Sequence, residues 1–366
     1  MLIDEKGSGN LLIKYEIRKI IKNPIVWILM LFFLVINILN IEMQVHDYKK
    51  DIKLTHQYIL NDKIDKEYLN SVVSIYDDFN MQIVKNTKMD LYDYNPSGKY
   101  KLFIDNCYKK LEKRVEEIKN DGESTQLTYP GQVYRLHKLL YYNIFKKLLL
   151  EMAVVISICT LFLMDYERIN NTTGIVYATK KGRTIQKSKM ISAMIAGSVI
   201  NGILMIGTLG YYFANISYKG LWNTSLSSAM ESRGILKYPF ITYAKMSYAK
   251  YLLFTICYAT VLIILISVLS SAIQLVTNNS YISIIIVVIT MLGLLNVLQF
   301  STNTWFDLLI SFNLASSWND CGSWFMENHL FTSFKAYDWI SILVQTCIVS
   351  ILFSVAYKRF CRKDYV

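Results

Sequence analysis

The sequence predicts an all-α polytopic membrane protein with six transmembrane helices and an extracytoplasmic helical domain between the first and second spans. Of its 366 residues, 53% are hydrophobic, whereas a soluble domain usually contains about 45–50% even when glycine is counted. The excess is concentrated in runs that reach the roughly 20 residues needed to cross a bilayer. Lysine and arginine flank these runs on one side, which the positive-inside rule identifies as the cytoplasm.

Residues 1–23 are predicted to form a cytoplasmic N-terminus with an interfacial amphipathic helix. Within residues 11–22, apolar and basic side chains gather on opposite sides of a helix, a pattern typical of helices that lie in the membrane interface. A plain extension of the first span is the alternative. The first span covers residues 24–43 and starts at Pro24, because proline costs a helix no hydrogen bond in its first turn. The basic side chains expected to face water are Lys14, Arg18, Lys19 and Lys22.

Residues 44–147 are hydrophilic, carry charges of both signs and are predicted to form the extracytoplasmic helical domain. Apolar residues recur at helical spacing on both sides of a turn at residues 95–98. Long loops escape the positive-inside count, so the lysines here are compatible with an outside location. We expect the apolar stripes to form this domain's own core, with a partner-binding face as the alternative. The second stripe consists of Ile104, Cys107, Tyr108, Leu111, Val115 and Ile118.

The remaining spans begin with the second, at residues 148–165. Residues 190–357 are predicted to hold spans three to six, together with an outer re-entrant segment at residues 301–338. That segment is rich in tryptophan and phenylalanine, which concentrate at membrane interfaces, and its apolar patch at residues 305–314 is too short to cross a bilayer. Residues 358–366 form a basic tail expected in the cytoplasm, so both termini are predicted to be cytoplasmic.

A polar, basic segment at residues 166–189, which we call the 166–189 loop, lies between the second and third spans. It contains an acidic residue at its start, then a glycine, an apolar patch, a turn with glycine and basic residues, and a closing lysine. A basic loop between spans is also a normal product of the positive-inside rule, but this order of residues favours a specific role. The residues are Glu167, Gly174, Ile175, Val176, Tyr177, Lys181, Gly182, Arg183 and Lys189.

This order, together with the six-span topology, resembles the permease subunits of type-two ATP-binding-cassette (ABC) transporters, most of which are exporters. In that family the corresponding loop docks onto a separate ATPase subunit. The resemblance also implies an interfacial N-terminal helix and short helices folded into the outer leaflet between the last two spans. The residues that it implies for ATPase coupling are Glu167, Gly174, Tyr177, Lys181, Gly182, Arg183 and Lys189.

The resemblance further implies partners outside this chain. The ATPase subunit would bind ATP and Mg²⁺, and a second permease, either another copy or a related chain, would complete the pathway through the membrane lipid. This chain would bind no cofactor and would itself be no enzyme. The expected function is export of an amphipathic cargo, such as an antimicrobial peptide, a drug or a lipid, across the plasma membrane of a bacterium.

Polar residues within the spans are candidates for a translocation path. A carboxylate inside a membrane is costly and therefore marks a candidate functional site, although Glu151 could instead pair with Lys146 or Lys147 at headgroup level. The polar residues near the outer end of the first span could equally reach water. The candidates are Asn37, Asn40, Glu151 and Asn201.

Several function classes lack their sequence motifs. There is no GxxxxGK[ST], HExxH or GxSxG, so we expect no ATP site and no hydrolase chemistry in this chain. The net charge of +11 flanks the spans, where anionic headgroups attract it, and is not attributed to nucleic-acid binding. The four histidines are widely spaced and predict no metal site. No two cysteines form a CxxC pair, and Cys107 and Cys321 are expected to be free although both would face outside.

Two other functions compete with transport driven by an ATPase. A membrane sensor or receptor would bind a ligand through the extracytoplasmic domain, but the sequence contains no cytoplasmic signalling domain. A secondary transporter is disfavoured because no pair of carboxylates lies within a span and no inverted repeat is evident.

Overall fold

A computed structural model describes residues 4–59, 76, 79–126, 136–179, 182–228, 232–233, 238–297 and 300–362. In these ranges the chain is mostly helical, and six helices are long and apolar enough to span a membrane. The predicted all-helical fold with six spans is therefore confirmed, and it fits a multi-pass membrane protein. Regular β structure in the described part is one antiparallel pairing of Ser232–Arg233 with Tyr238–Pro239.

The six candidate spans lie where the apolar runs predicted them, although several of their bounds differ. Span 2 differs most, since it starts at Lys138 rather than at residue 148. The first candidate span is the apolar part of a longer helix, Pro24–Ile59. In chain order the spans are span 1 (Pro24–Tyr48), span 2 (Lys138–Met164), span 3 (Ile185–Asn215), span 4 (Tyr248–Thr277), span 5 (Ser280–Val297) and span 6 (Tyr337–Arg362).

Span 2 is the centre of the bundle. The buried share of its most apolar stretch is 67%, against 44% for spans 3 and 4, 28% for spans 1 and 6, and 11% for span 5. Glycine lets span 3 approach it closely, because a Cβ at Gly197 would lie 2.8 Å from Ile156 Cδ1. Small residues of this kind allow helices to pack tightly in lipid, where apolar surface alone gives no driving force.

The first part of span 2, Lys138–Phe145, is π-helical and runs without a break into the α-helix Lys146–Met164. The wide turn lies against the 3-10 turn Cys321–Ser323. The Tyr142 hydroxyl and Ser323 Oγ are 2.5 Å apart. A Cβ at Gly322 would lie 2.4 Å from the Tyr142 ring, so only glycine permits this approach.

The bundle has two ends, which we name by what they carry. The terminal face carries the N-terminal helix (Asp4–Ile21), the 166–189 loop and the end of span 6, which contact one another. The distal face carries helices Met81–Leu91 and Gly98–Asn120, together with residues 301–334.

The apolar stripe of helix Gly98–Asn120 packs with Met81 and Val84 of the same predicted domain, as expected, but the core that they form is shared with residues outside that domain. Its buried members pack in one cluster with residues from the connections between spans 3 and 4 and between spans 5 and 6. The helix is therefore part of a cap that covers the distal ends of the bundle. The cluster partners from those connections are Ile241, Tyr243, Leu308, Phe312 and Leu330.

Buried polar contacts also hold this cap in place. Lys88 forms an ion pair with Glu327 and donates to the Asn328 carbonyl at 2.5 Å. Asp307 accepts hydrogen bonds from the Thr302 amide and hydroxyl, both at 2.8 Å, and from the Tyr94 hydroxyl at 3.2 Å. Burial pushes the pKa of Asp307 upward, but these hydrogen bonds outweigh it and hold the pKa below its usual range.

The segment between spans 5 and 6 contains short helices, where the apolar patch at residues 305–314 predicted one and the resemblance implied several. They are Trp305–Ser311 and Leu314–Asn319, both too short to cross a membrane. Trp305 and Phe306 remain exposed at the first of them. All six cysteines are free, including Cys107 and Cys321, and burial raises the pKa of the Cys107 thiol to about 11.

Candidate functional site

The 166–189 loop folds into two short helices, Tyr166–Ile169 and Thr173–Tyr177. Asn171 connects them with a φ of 55°, a left-handed conformation that asparagine tolerates better than most residues. Span 3 already begins at Ile185, so the last residues of the predicted loop belong to its first turns.

The second short helix presents an apolar, exposed surface. Gly174 is exposed, and a Cβ built on it would find no atom within 4 Å. The neighbouring Ile175 side chain is 75% exposed, and Ile169 on the first short helix is 54% exposed. We call these three residues the loop tip. Its open surroundings leave room for another molecule.

Beneath the tip lies a buried cluster of four charged side chains. Glu167 forms an ion pair with Lys189 and a second with Lys19, whose Nζ lies 3.4 Å from Oε1. Lys19 also pairs with Glu16 at 2.8 Å. Two positive and two negative charges balance each other here, which is what burial of charge requires. The cluster joins the N-terminal helix, the loop and span 3, and it places Glu167 and Lys189 inside the protein.

Asp165 anchors the loop to the turn between spans 4 and 5. Its carboxylate accepts two hydrogen bonds from the Arg168 guanidinium, at 2.7 and 2.6 Å. It also accepts one from Ser280 Oγ at 2.6 Å. The paired bonds to arginine fix the geometry as well as the charge.

The end of span 6 packs against the other side of the loop. The Tyr177 ring meets Phe360 edge to face at 5.6 Å, and its hydroxyl accepts from Gln186 Nε2 at 2.6 Å. Arg183 donates to the Cys361 carbonyl, one of the groups that a helix end leaves without a helical partner. Tyr177 and Arg183 therefore hold span 6 to the loop.

The two glycines predicted for this site differ in their surroundings. A Cβ at Gly182 would lie 2.0 Å from the Val176 carbonyl oxygen, so the turn requires glycine there. Gly174 is under no such constraint. Lys181, the remaining predicted residue, lies outside the described residues.

The N-terminal helix combines an exposed apolar side with a buried polar one. Leu11 and Tyr15 are largely exposed, as expected for a helix in the membrane interface. Glu16 is buried, and the Lys19 side chain is only 10% exposed and pairs with Glu16 and Glu167, so the expectation that Lys19 faces water was wrong. The sequence signal for these two was their spacing of three positions, which lets opposite charges meet on a helix.

The four candidates for a translocation path lie at the interface of spans 1, 2 and 3. Asn37 Nδ2 donates to Glu151 Oε2 at 2.5 Å and to Thr208 Oγ1 at 3.3 Å. Asn201 donates to a span 2 carbonyl at 3.0 Å, and its own Oδ1 is buried with no partner among the described residues. All four side chains are buried within the chain.

Glu151 does not form the ion pair with Lys146 or Lys147 that we considered as its alternative role. Lys147 donates to Asn40 Oδ1 at 3.0 Å, and Lys146 donates to Asn319 at 2.9 Å. The Glu151 carboxylate therefore accepts a hydrogen bond from the Asn37 amide of span 1 instead of pairing with a lysine.

The candidate site consists of an exposed apolar loop tip and of the ion pairs and hydrogen bonds that join the loop to the neighbouring helices. Among the described residues, no group of three or more histidine, cysteine, aspartate and glutamate side chains could hold a metal ion. Comparisons with protein-family models, with curated proteins and with solved structures returned no match to this chain.

Proposed function

We propose that this chain is the membrane-spanning permease subunit of an ABC transporter, driven by a separate ATPase subunit that docks on the 166–189 loop. The observation that carries the proposal is an exposed apolar tip mounted on a base of buried, paired charges. A docking element needs an accessible surface for its partner. It also needs a stiff connection to the parts that must move, and the loop combines both.

The contacts of the 166–189 loop would transmit a movement of the bound ATPase to several spans. Lys189 links the loop to span 3, Asp165 to the turn between spans 4 and 5, and Tyr177 to span 6. The charged cluster adds the N-terminal helix. A rigid shift of the loop would therefore act on most of the bundle at once, as in transitions where packed elements move as bodies.

Charge supports a cytoplasmic location for the loop, where ATP is available. The positive-inside rule assigns short connections rich in lysine and arginine to the cytoplasm. We propose the plasma membrane of a bacterium, with the distal cap outside. The basic residues on the terminal face include Lys14, Arg18, Arg168, Arg183, Lys187, Lys358 and Arg359.

The cargo path would lie between two permease copies or between this chain and a related one. The polar candidates Asn37, Asn40, Glu151 and Asn201 are buried, and each forms at least one polar contact within the chain. A second permease is therefore needed to enclose a route. An amphipathic cargo, such as an antimicrobial peptide, a drug or a lipid, fits the exporter-like character of the loop.

The test is to purify the full chain from its native membrane and to identify an ATPase that accompanies it. Ile175→Asp or Gly174→Trp should abolish that association, because both alter the tip without disturbing an internal contact. Ile83→Asp is the matched control, since Ile83 is 61% exposed but lies on the distal face. All three variants should insert into the membrane as the parent does.

Two results would oppose the proposal. One is purification of the parent protein without any nucleotide-hydrolysing partner, which would favour the sensor or receptor function. The other is unchanged ATPase association of both tip variants, which would place the docking surface elsewhere.

A further inference from the structure

A basic cleft opens on the terminal face between the ends of spans 4 and 6. Its volume is about 640 Å³. One wall is the end of span 4, and the other is the last two turns of span 6. The lining residues are Leu275, Val276, Asn278, Val355, Lys358, Arg359, Phe360 and Arg362.

Among the described residues that line the cleft, every charge is positive. Lys358, Arg359 and Arg362 are exposed, and no carboxylate belongs to the lining. Within the described residues, none of the three forms an ion pair, in contrast to the paired cations of the neighbouring loop. Three unpaired cations around one opening form a site for an anion with several oxygens, and guanidinium groups suit phosphate especially well.

The cleft also has an apolar side. Val276 and Val355 are 53% and 61% exposed, although the other apolar lining residues, Leu275 and Phe360, are buried. In a protein that crosses a bilayer, such side chains meet acyl chains, while lysine and arginine at the span ends extend to the headgroups. Along span 6, the apolar Val355 lies one turn before the cationic Lys358 and Arg359. A phospholipid changes in the same order from acyl chain to phosphate.

We propose that this cleft binds an anionic membrane phospholipid, with its phosphate held by Lys358, Arg359 and Arg362 and an acyl chain lying on Val276 and Val355. The combination of apolar and cationic walls favours a lipid over a soluble phosphate, which would use only the cationic part. The proposal stands apart from the proposed transport function, because it requires only that the span ends lie at headgroup level.

Binding at this position would reach the 166–189 loop. Phe360 lines the cleft and packs on Tyr177 of the loop. The next residue, Cys361, accepts the hydrogen bond from Arg183. A lipid that holds the end of span 6 would therefore also steady the loop.

The experiment measures lipid binding to the purified full chain by native mass spectrometry and by the shift of its thermal unfolding midpoint. Phosphatidylglycerol should bind and raise the midpoint, and phosphatidylcholine should do so much less. Replacing Lys358, Arg359 and Arg362 by glutamine should weaken phosphatidylglycerol binding about five-fold for each charge removed. That factor corresponds to about 1 kcal/mol for each basic residue near an anionic surface.

Two controls separate the site from general attraction to a positive protein. Lys101→Gln/Lys109→Gln/Lys113→Gln removes the same charge from exposed positions on the distal face and should leave binding within about two-fold of the parent. Val276→Trp fills the cleft and keeps every cation, so it should weaken binding. Val288→Trp, at a similarly exposed valine of span 5, should not.

Three outcomes would overturn the proposal. The first is equal lipid binding by the parent and the glutamine variant. The second is unchanged binding by Val276→Trp, which remains informative if the glutamine variant fails to fold. The third is a midpoint shift by inorganic phosphate that matches the shift by phosphatidylglycerol, since that would identify a soluble ligand.

Discussion

At the scale of single residues, the central observation is that Glu167 and Lys189 lie inside the protein although both belong to a polar, basic loop. The network that buries them could not be predicted from the sequence, because it includes Lys19, which lies 148 positions from Glu167. The sequence did indicate that an acidic and a basic residue frame the loop. Which charges face each other depends on how the N-terminal helix packs, and no local pattern encodes that.

Removing one charge from this cluster should destabilise the protein. Lys189→Gln would leave a buried carboxylate short of its closest cation, and breaking a buried pair in this way typically costs about 3–5 kcal/mol. The expected result is a clear drop in the midpoint of thermal unfolding in detergent. Lys187→Gln is the control, because Lys187 is exposed and its Nζ lies over the face of the Tyr357 ring, at 4.6 Å from its centre, with no carboxylate partner among the described residues. Equal midpoints for the two variants would contradict the internal role of Lys189.

The two glycines of the loop should respond differently to alanine. Gly182→Ala would force a methyl group against the Val176 carbonyl, and such overpacking typically costs about 1–3 kcal/mol. Gly174→Ala meets open space and should be tolerated. Limited proteolysis of the loop in membranes measures the difference, with faster cleavage expected for Gly182→Ala alone. Faster cleavage of both variants to the same extent would show that the turn does not discriminate between them.

At the scale of elements, the positions of the spans could be predicted from the sequence. The packing partners of the cap helices could not. A run of apolar residues identifies a span without any knowledge of its partners. The beginning of span 2 was missed because Lys138, Asn143, Lys146 and Lys147 lower its hydropathy. Two of these lysines reach polar groups of other elements, Lys146 at Asn319 and Lys147 at Asn40. Similarly, an apolar stripe shows that a helix buries one side, but it does not show what covers that side.

The buried ion pair in the cap should contribute more to stability than its partly exposed neighbour. Lys88→Gln would remove the Lys88 charge from the buried Glu327 carboxylate, with an expected loss of about 3–5 kcal/mol. Lys85→Gln breaks the more exposed pair with Asp105, which is expected to cost less than about 1 kcal/mol. Hydrogen exchange of helix Gly98–Asn120 reports on both. Similar exchange rates in the two variants would mean that the cap does not depend on the Lys88 contact.

At the scale of the whole molecule, the two faces divide the chain into a basic end that gathers loop, N-terminal helix and last span, and a capped end. The even number of spans in the described chain follows from the apolar runs alone. The shared core of the cap does not, since it joins residues from three separate connections. Packing between such distant segments depends on how their side chains fit together in the folded chain, so a local sequence pattern does not predict it.

The orientation that we propose predicts which engineered thiols can be labelled from outside the cell. Leu102→Cys places a thiol at a distal residue that is 62% exposed, and Ile175→Cys places one at the loop tip, where the native side chain is 75% exposed. A membrane-impermeant maleimide should label the first in intact cells and the second only after lysis. The reverse pattern would place the loop outside and would remove the proposed ATPase contact.

The wide turn at Lys138–Phe145 carries a final consequence for how the two ends are oriented. Each residue of an α-helix advances the chain by about 100° around the axis, and each residue of a π-helical turn, which closes i→i+5 hydrogen bonds, advances it by less. If these same residues tightened into an ordinary α-helix, everything before them would therefore rotate around the helix axis relative to the rest of span 2. His137, whose ring nitrogen meets the Gly322 carbonyl at 2.8 Å, would then face away from that partner. The wide turn therefore sets the angle around the axis of span 2 at which the cap lies on the bundle.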